Sequence, residues 1–361
     1  MPESVVVTGI GMRTPIGNDA VQTASAVRAG INRFALWEAL GTAFEDDAGV
    51  IASFLPDELG DEPWVGKAID LVPEPLHEAL WSSGLFDFGE VRAWNQRVQV
   101  GAYIATPYED RAGVSKEAFR LFAIEARQHC IAPAHADFVQ VVSCDHAAGI
   151  MAVDRAAQDL QTHKIDFAVV GGLDSFLHAD YLKALWAEGR LKLPTHADGL
   201  LPGEAAAVVV LERARDAEAR GAPILARLGE AAIDHEALPL GPEYPIRAEG
   251  SSRAISAALA RNGGPGRMER IIVDLSGERW RSLEWALVET RCLGGLPQEW
   301  QLWHPADCLG DIGAATSIVH LCLALRAFAR GYGGGGAILL AAASPRGERA
   351  ALAVFPAQEG T

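Results

Sequence analysis

The sequence predicts an α/β fold, and three observations lead to this prediction. Strand-like apolar runs alternate along the chain with helix-like segments, which is the pattern of mixed sheets covered by helices. A strand-like run closes each half, at residues 208–211 and at 352–355. The composition, 361 residues of which 49% are hydrophobic and 22% charged, allows one large core or two fused ones.

The first half begins with a buried strand that leads through a turn into a helix. Residues 5–11 form an apolar run that ends in glycine, and Asn18 is the predicted N-cap of the following alanine-rich helix. Residues 34–94 are rich in proline, tryptophan and acidic residues and show no clean period, so we predict a helical insertion there. A second strand over 98–105 and an amphipathic helix over 116–130 follow.

The most informative stretch joins a strand to a helix through a tight turn. The apolar run 140–143 reaches the turn Cys144-Asp145-His146, and the small residues after it allow a helix to begin almost on the strand. A further strand ends in the pair Gly171-Gly172. This is the layout of a nucleophile elbow, in which a sharp strand-to-helix turn presents a reactive side chain.

The second half repeats the scheme in a weaker form. Residues 271–275 are a buried strand, and a long apolar helix opens at 313–315 and runs to residue 329. Residues 337–341 and 350–355 are the strands of a closing hairpin. The order of strand and helix in the first half thus recurs, although weakly.

These residues resemble the β-ketoacyl-ACP synthases of the thiolase-like superfamily. In that family a cysteine lies at a fixed distance before the elbow glycine and before the Gly-Gly turn. Counting back from Gly149 and from Gly171 leads to the same residue here, His146. If the chain instead carries an insertion at the turn, Cys144 is the nucleophile, although this would break both spacings. The resemblance extends to residues 198–212, where an Asp-Gly turn, a Gly-Glu pair and a hydrophobic strand follow one another.

The resemblance implies a fold and a domain organisation. The expected fold has five layers, with two mixed sheets and helices between and outside them. The duplicated strand–helix halves are then residues 1–225, which include the helical insertion over about 34–94, and residues 226–361.

The other catalytic positions of the family are also substituted. The synthases support their cysteine with two histidines, a lysine and a backbone N–H in a late glycine-rich loop. Counting from the flanking motifs places Ser276 and Gly310 at the two histidines, Pro305 at the lysine and Pro345 at the N–H donor. Proline has no N–H to donate. The resemblance therefore implies that no catalytic group is intact, with degenerate positions at His146, Ser276, Gly310 and Pro345.

His146 and Cys144 remain the residual candidates for chemistry. Because His146 is expected at a buried helix N-terminus, the helix dipole and burial both disfavour its protonated form, and we expect a neutral imidazole. In one interpretation it fills the vacated pocket and hydrogen-bonds nearby backbone, while Cys144 and Asp145 are structural. In the other, His146 or Cys144 acts as a base or acyl acceptor.

Charge and cysteine usage exclude several classes of function. The net charge of −16 disfavours nucleic acid and anionic membranes as partners, and it opposes recruitment of an acidic acyl carrier protein unless a local basic patch exists. The five cysteines have spacings that suggest neither a disulfide framework nor a zinc site, and we predict no metal and no cofactor. The N-terminus lacks signal-peptide features and no apolar stretch is long enough to span a bilayer, so we expect a cytoplasmic protein.

The predicted function is that of a catalytically degenerate synthase homologue that acts as a noncatalytic partner or scaffold subunit, in the manner of chain-length factors. In the family the strand before the nucleophile pairs across a two-fold axis, so the strand Phe138–Ser143 is expected to form a homodimer or a heterodimer with an active synthase. Two alternatives stay open. One is an acyltransferase or thioester hydrolase that uses His146 or Cys144. The other is an accessory protein of a bacterial specialised-metabolite or secretion gene cluster.

Overall fold

The computed structural model describes residues 3–37, 49–55, 64–87, 90–91, 98–114, 136–237 and 245–357. Within these residues, the strands are β1 (Val5–Arg13), β2 (Phe34–Trp37), β3 (Val50–Ser53), β4 (Phe86–Asp87), β5 (Glu90–Val91), β6 (Val100–Thr106), β7 (Phe138–Ser143), β8 (Phe167–Ser175), β9 (Glu204–Arg213), β10 (Ala226–Leu228), β11 (Ala232–His235), β12 (Met268–Val273), β13 (Gln301–Trp303), β14 (Ala337–Ala343) and β15 (Glu348–Pro356). The helices are α1 (Ala20–Arg28), α2 (Trp64–Leu71), α3 (Pro73–Ser82), α4 (Ala148–Gln161), α5 (Ala179–Ala187), α6 (Ala214–Ala219), α7 (Glu249–Arg261), α8 (Arg279–Cys292), α9 (Ala306–Leu309) and α10 (Thr316–Ala329).

The main sheet is continuous through both halves of the chain. Its order is β13-β12-β14-β15-β10-β1-β9-β8-β6-β7, with β11 beside β15. Each half mixes parallel pairs, such as β6 with β8 and β12 with β14, with antiparallel pairs, such as β8 with β9 and β14 with β15. The short strand β10 pairs with both β1 and β15 and thereby joins the halves.

Five layers are present, as the resemblance implied, but one sheet that continues through β10 takes the place of the two separate sheets that were expected. The helices α4 and α10 lie in the middle and share one hydrophobic cluster with the inner faces of both halves of the sheet. A second cluster joins α2 and α3 to the outer face of β6, β8 and β9, and a third joins α7 and α8 to the outer face of β12, β14 and β15. The strand β9 is fully buried for this reason: Val209 packs on the central layer, whereas Val208 and Val210 pack on the outer one.

The two central helices show the duplication directly. Each has 14 residues, and each follows a three-residue 3₁₀ turn, Asp145–Ala147 before α4 and Gly313–Ala315 before α10. We propose residue 225, just before β10, as the boundary between the duplicated halves. None of the helices in the described ranges is long and apolar enough to cross a lipid bilayer.

Two local predictions differ from the structure. The segment 34–94 contains the helices α2 and α3, but it also contains two hairpins, β2–β3 and β4–β5, so it is only partly helical. The cap of α1 is Asp19 rather than Asn18, because the Asp19 carboxylate accepts the N–H of Gln22. The predicted helix over 116–130 lies outside the described residues.

Candidate functional site

The strand-to-helix turn after β7 is the centre of the candidate site. Asp145 has a φ of 62°, a left-handed conformation that costs a residue with a side chain about 1–2 kcal/mol. Gly149 follows in the first turn of α4, where a Cβ atom would lie 2.6 Å from the Cβ of Ser317 on α10. Glycine is therefore required there, because α4 and α10 approach each other closely at this point.

Two serines from distant segments hold the backbone of the turn. The Ala147 N–H donates to Ser344 Oγ at 2.9 Å, and the Ser344 hydroxyl donates to the Cys144 carbonyl at 2.5 Å. The Ser317 hydroxyl donates to the His146 carbonyl at 2.5 Å. The loop between β14 and β15 thus reaches the turn through Ser344, and the next residue, Pro345, is half-buried.

His146 lies at the apex of the turn and is 1% exposed. Its Nε2 is hydrogen-bonded to Asp311 Oδ1 at 2.7 Å. Asp145 Oδ1 lies 2.7 Å from Nδ1, as an ion-pair contact rather than an aligned hydrogen bond. Both ring nitrogens are therefore engaged by buried carboxylates.

The carboxylates set the protonation state of His146. Burial and the Arg281 cation favour the neutral imidazole, but Asp311 and Asp145 outweigh them and raise the pKa of His146 to about 10. Burial tends to raise the pKa of the Asp311 carboxyl, yet the His146 and Arg281 cations hold it well below its usual range. The sequence-based expectation of a neutral imidazole is wrong, because it counted burial and the helix dipole but not two negative charges from the fold.

Arg281 on α8 closes the site opposite the turn. Its Nη2 lies 3.0 Å from His146 Nε2, and its Nη1 donates to Asp274 Oδ2 at 2.6 Å and to the Ala343 carbonyl at 2.7 Å. Glu278 Oε2 lies 3.4 Å from its Nε. Two cations and several carboxylates thus form one buried network, in which every charge depends on the others.

The space around this network is small. His146, Ser276, Pro305, Gly310 and Asp311 all line one cavity of about 10 Å³, which is about the room that one water molecule needs. Four of these five residues are positions that the sequence aligns with catalytic groups of the family. A second cavity of about 30 Å³ lies beside Arg281 and Asp274, and Pro345 lines neither of the two.

Cys144 lies apart from this network. It is buried beside Ala105, Tyr108 and Ala148, and its Sγ is 3.2 Å from Met151 Sδ. Burial, followed by the carboxylates of Glu348 and Asp145, raises the pKa of the Cys144 thiol to about 12. At neutral pH the residue is a thiol, which is the unreactive form.

A second buried ion pair supports the 3₁₀ turn before α10 from the side of β8. Asp174, the second residue after Gly171-Gly172, binds Arg111 through both oxygens at 2.6 and 2.7 Å. It also accepts the Ala314 N–H at 3.0 Å, and a Cβ atom on Gly313, whose φ is +50°, would lie 2.1 Å from Asp174 Oδ2. The carboxylate thereby fixes the 3₁₀ turn Gly313–Ala315 to the end of β8.

Asp311 and Arg281 define the electrostatics of the site, and neither was predicted from the sequence. Asp311 had a signal, since it is a carboxylate in the otherwise apolar and glycine-rich stretch 308–315. Arg281 had none, because other charged residues surround it on α8. They lie 165 and 135 residues from His146 in the chain, so only the folded structure reveals their contact.

Comparisons with known proteins agree on the family. Residues 138–217 match the family model described as "Beta-ketoacyl synthase, N-terminal domain". The chain is 29% identical over 303 residues to a type I polyketide synthase of phenolphthiocerol synthesis from Mycobacterium bovis, a match that covers 72% of this chain and 14% of that protein. It is 28% identical over 199 residues to 3-oxoacyl-[acyl-carrier-protein] synthase 2 of Mycobacterium tuberculosis, covering 50% of this chain and 46% of that one. The chain therefore spans less than half the length of these two relatives.

Solved structures share the whole fold. A structure described as the type II polyketide synthase acyl-carrier protein AntF complexed with its ketosynthase AntDE and bound to the hexaketide superposes with a TM-score of 0.83, at 16% identity, and covers 99% of this chain and 100% of that one. The ishigamide ketosynthase/chain length factor superposes with a TM-score of 0.78, at 18% identity, with the same coverage. The fold is that of the ketosynthases. Residues 138–217 thus match the β-ketoacyl synthase N-terminal domain, and the chain as a whole has the thiolase-like fold of the ketosynthases.

Proposed function

We propose that this chain is a noncatalytic member of the β-ketoacyl synthase family and acts as a partner or scaffold subunit of a synthase, in the manner of a chain-length factor. One observation carries the proposal: His146 stands at the apex of the turn as a buried imidazolium between Asp145 and Asp311. An imidazolium has no free lone pair, so it serves neither as a general base nor as an acyl acceptor.

The lack of space supports the same proposal. A condensing enzyme must bring a thioester to its nucleophile and stabilise an oxyanion with free donors. Here the cavity beside His146 has about 10 Å³, and the Ala147 N–H at the start of the helix already donates to Ser344.

The position of β7 supports a partner role. This strand is at the end of the sheet, and within the described residues it pairs only with β6. All six of its residues are half-buried, although they lie next to the fully buried β6. A half-buried edge strand is a template for pairing with another chain, and we propose that β7 pairs with its counterpart in a second copy or in a synthase.

The first test is acylation. We expect that intact-mass spectrometry finds no acyl adduct on His146 or Cys144 after incubation with acyl-CoA or acyl-carrier thioesters, because the first is protonated and the second is a buried thiol. An active synthase under the same conditions provides the positive control. Cys292 is half-buried, so a Cys292→Ala variant removes a possible nonspecific adduct. A stable adduct that disappears in Cys144→Ala or in His146→Ala would show that the chain is an acyltransferase or hydrolase and would refute the proposal.

The second test is oligomeric state. We expect the purified chain to be a dimer, or to copurify with a synthase, at micromolar concentration. Val141→Lys places a charge in the middle of β7 and is expected to abolish that association, because a lysine on an edge strand opposes edge-to-edge pairing. Size-exclusion chromatography with light scattering measures the mass, and circular dichroism checks that the variant folds.

A matched control for this test lies on another strand. Ile233 on β11 is 42% exposed, so Ile233→Lys adds the same charge to the sheet away from β7 and should leave the assembly intact. A wild-type chain that is monomeric and copurifies with no partner would contradict the partner role. A Val141→Lys variant that folds and still associates would exclude β7 as the interface.

A further inference from the structure

A groove between α1 and the end of α10 brings three arginines together. It has a volume of about 450 Å³, within the range of small-molecule sites. Arg28 ends α1, Arg326 lies in the last turn of α10, and Arg330 follows α10 directly. All three line the groove together with Tyr332. The groove is far larger than the cavity beside His146 and is formed by different elements.

The charges of these arginines are not neutralised by the groove. No carboxylate is among the described residues that line it, and none of the three arginines forms an ion pair within the described part of the chain. The Nε of Arg326 is buried and has no acceptor there. Glu78 lies within the field of Arg326, but its carboxylate already accepts the N–H groups of Met12 and Ala20.

A structural role for each arginine does not explain their convergence. A cation in the last turn of a helix interacts favourably with the helix dipole, which accounts for a single arginine at each helix end. It does not account for three guanidinium groups that share one concave surface on a chain whose net charge is −16. Like charges that lie close together without counter-charges repel one another, so this arrangement favours the binding of an anion.

The remaining walls indicate what else the ligand contains. Val21 and Ala24 of α1 give the groove an apolar side, and Arg28 covers the face of Tyr332 with its Cζ 4.3 Å from the ring centroid. The planar guanidinium binds the oxygens of carboxylates and phosphates in pairs, and a phosphate has enough oxygens for three guanidinium groups, whereas an isolated carboxylate has only two. An apolar side next to a phosphate-binding side suits an organic phosphate.

We propose that this groove is a binding site for a small organic phosphate, with the phosphate group held by Arg28, Arg326 and Arg330 and the organic part against Val21 and Ala24. The site goes beyond the proposed partner role and does not depend on it, since the groove contains no residue of the turn at His146 or of β7. A failure of either proposal leaves the other unaffected.

The test is calorimetric titration of the full-length chain with inorganic pyrophosphate at low ionic strength. We expect saturable binding with a Kd at or below about 1 mM. Arg330→Gln should weaken it about tenfold, because a hydrogen bond to a charged group contributes roughly that factor or more. Arg326→Gln should weaken binding by a similar factor. If replacement of the half-buried Arg326 causes misfolding, the exposed Arg330 still provides the test, because its replacement leaves the core unchanged.

A control arginine and a control anion complete the design. Arg215 on α6 has a side chain that is 74% exposed and lies outside the groove, so Arg215→Gln makes the same charge change and should alter the Kd by less than about twofold. Hexaglutamate carries more negative charge than pyrophosphate but no phosphate, and we expect weaker binding. The proposal is overturned if pyrophosphate shows no saturable binding, or if the groove variants and Arg215→Gln have the same Kd. It is also overturned if hexaglutamate binds more tightly than pyrophosphate, because this would indicate a protein-docking surface instead.

Discussion

Asp311→Asn is expected to lower the free energy of unfolding by about 3–5 kcal/mol, which is the usual cost of removing one partner from a buried ion pair. Asp311 accepts a hydrogen bond from His146 Nε2 and another from the Gly313 N–H, and it also lies in the field of Arg281. Asparagine keeps the shape and an acceptor oxygen, so the loss measures the charge rather than a cavity. Urea unfolding at neutral pH, followed by circular dichroism, gives the difference.

The control for this prediction is Asp307→Asn. The Asp307 side chain is 71% exposed and pairs with the exposed His304, and such surface pairs contribute little. This variant should remain within about 0.5 kcal/mol of the wild type. If Asp311→Asn is equally mild, the site is not a cooperative charge network, and its carboxylates do not hold His146 as an imidazolium.

The stability of the protein is expected to decrease between pH 6.5 and about 10 because of His146. In the unfolded chain this group has its ordinary pKa of 6.5, whereas the two carboxylates raise the pKa to about 10 in the folded protein. Between these values the folded state binds more protons, so the free energy of unfolding decreases as the pH rises. His146 makes its full contribution to the free energy of unfolding below pH 6.5, and this contribution is about 5 kcal/mol.

The measurement is a series of urea unfolding curves across this pH range for the wild type and for His146→Gln. Glutamine carries no titrating proton, so the variant should show a flatter profile. Burial raises the pKa of Cys144 to about 12, so this thiol lowers the free energy of unfolding only above pH 9. The effect is the same in the wild type and in His146→Gln. Burial lowers the pKa values of His178 and His320 to about 3. These two residues therefore lower the free energy of unfolding only as the pH falls below 6.5, which is outside the range in question.

A parallel pair of pH profiles would mean that His146 is neutral in the folded protein. In that case the ring has a free lone pair, and a catalytic role for the histidine is open again. Should His146→Gln fail to fold, Asp311→Asn provides the same comparison, because loss of one carboxylate is expected to lower the pKa of His146 and reduce the alkaline decline.

The fold was largely predictable because its signals are local. The buried strand at the N-terminus, the turn after β7, the strand β9 and the closing hairpin β14–β15 all follow from short apolar runs punctuated by glycine. The segment 34–94 was only partly predicted, because its strands are short and pair with one another rather than with the main sheet. Short hairpins leave little periodic pattern to detect.

The candidate site was predictable in its residue types but not in its chemistry. The spacing to Gly149 and Gly171 located His146, and family positions located Ser276 and Gly310, which the structure places around one cavity. Nothing in the spacing indicated that this cavity holds about one water. The arginine groove could not be predicted from the sequence either. Arg28 and Arg330 are about three hundred residues apart in the chain and come together only because α1 packs on α10.

By itself, the sequence determined the α/β architecture and the presence of an imidazole in the strand-to-helix turn after β7. Periodicity and covalent order suffice for these features, because they depend on neighbours within a few residues. Only the tertiary structure decided the charge of that imidazole, the closure of the space around it and the clustering of three arginines. These depend on Coulomb energy and packing, which act through space between segments that the chain order keeps far apart.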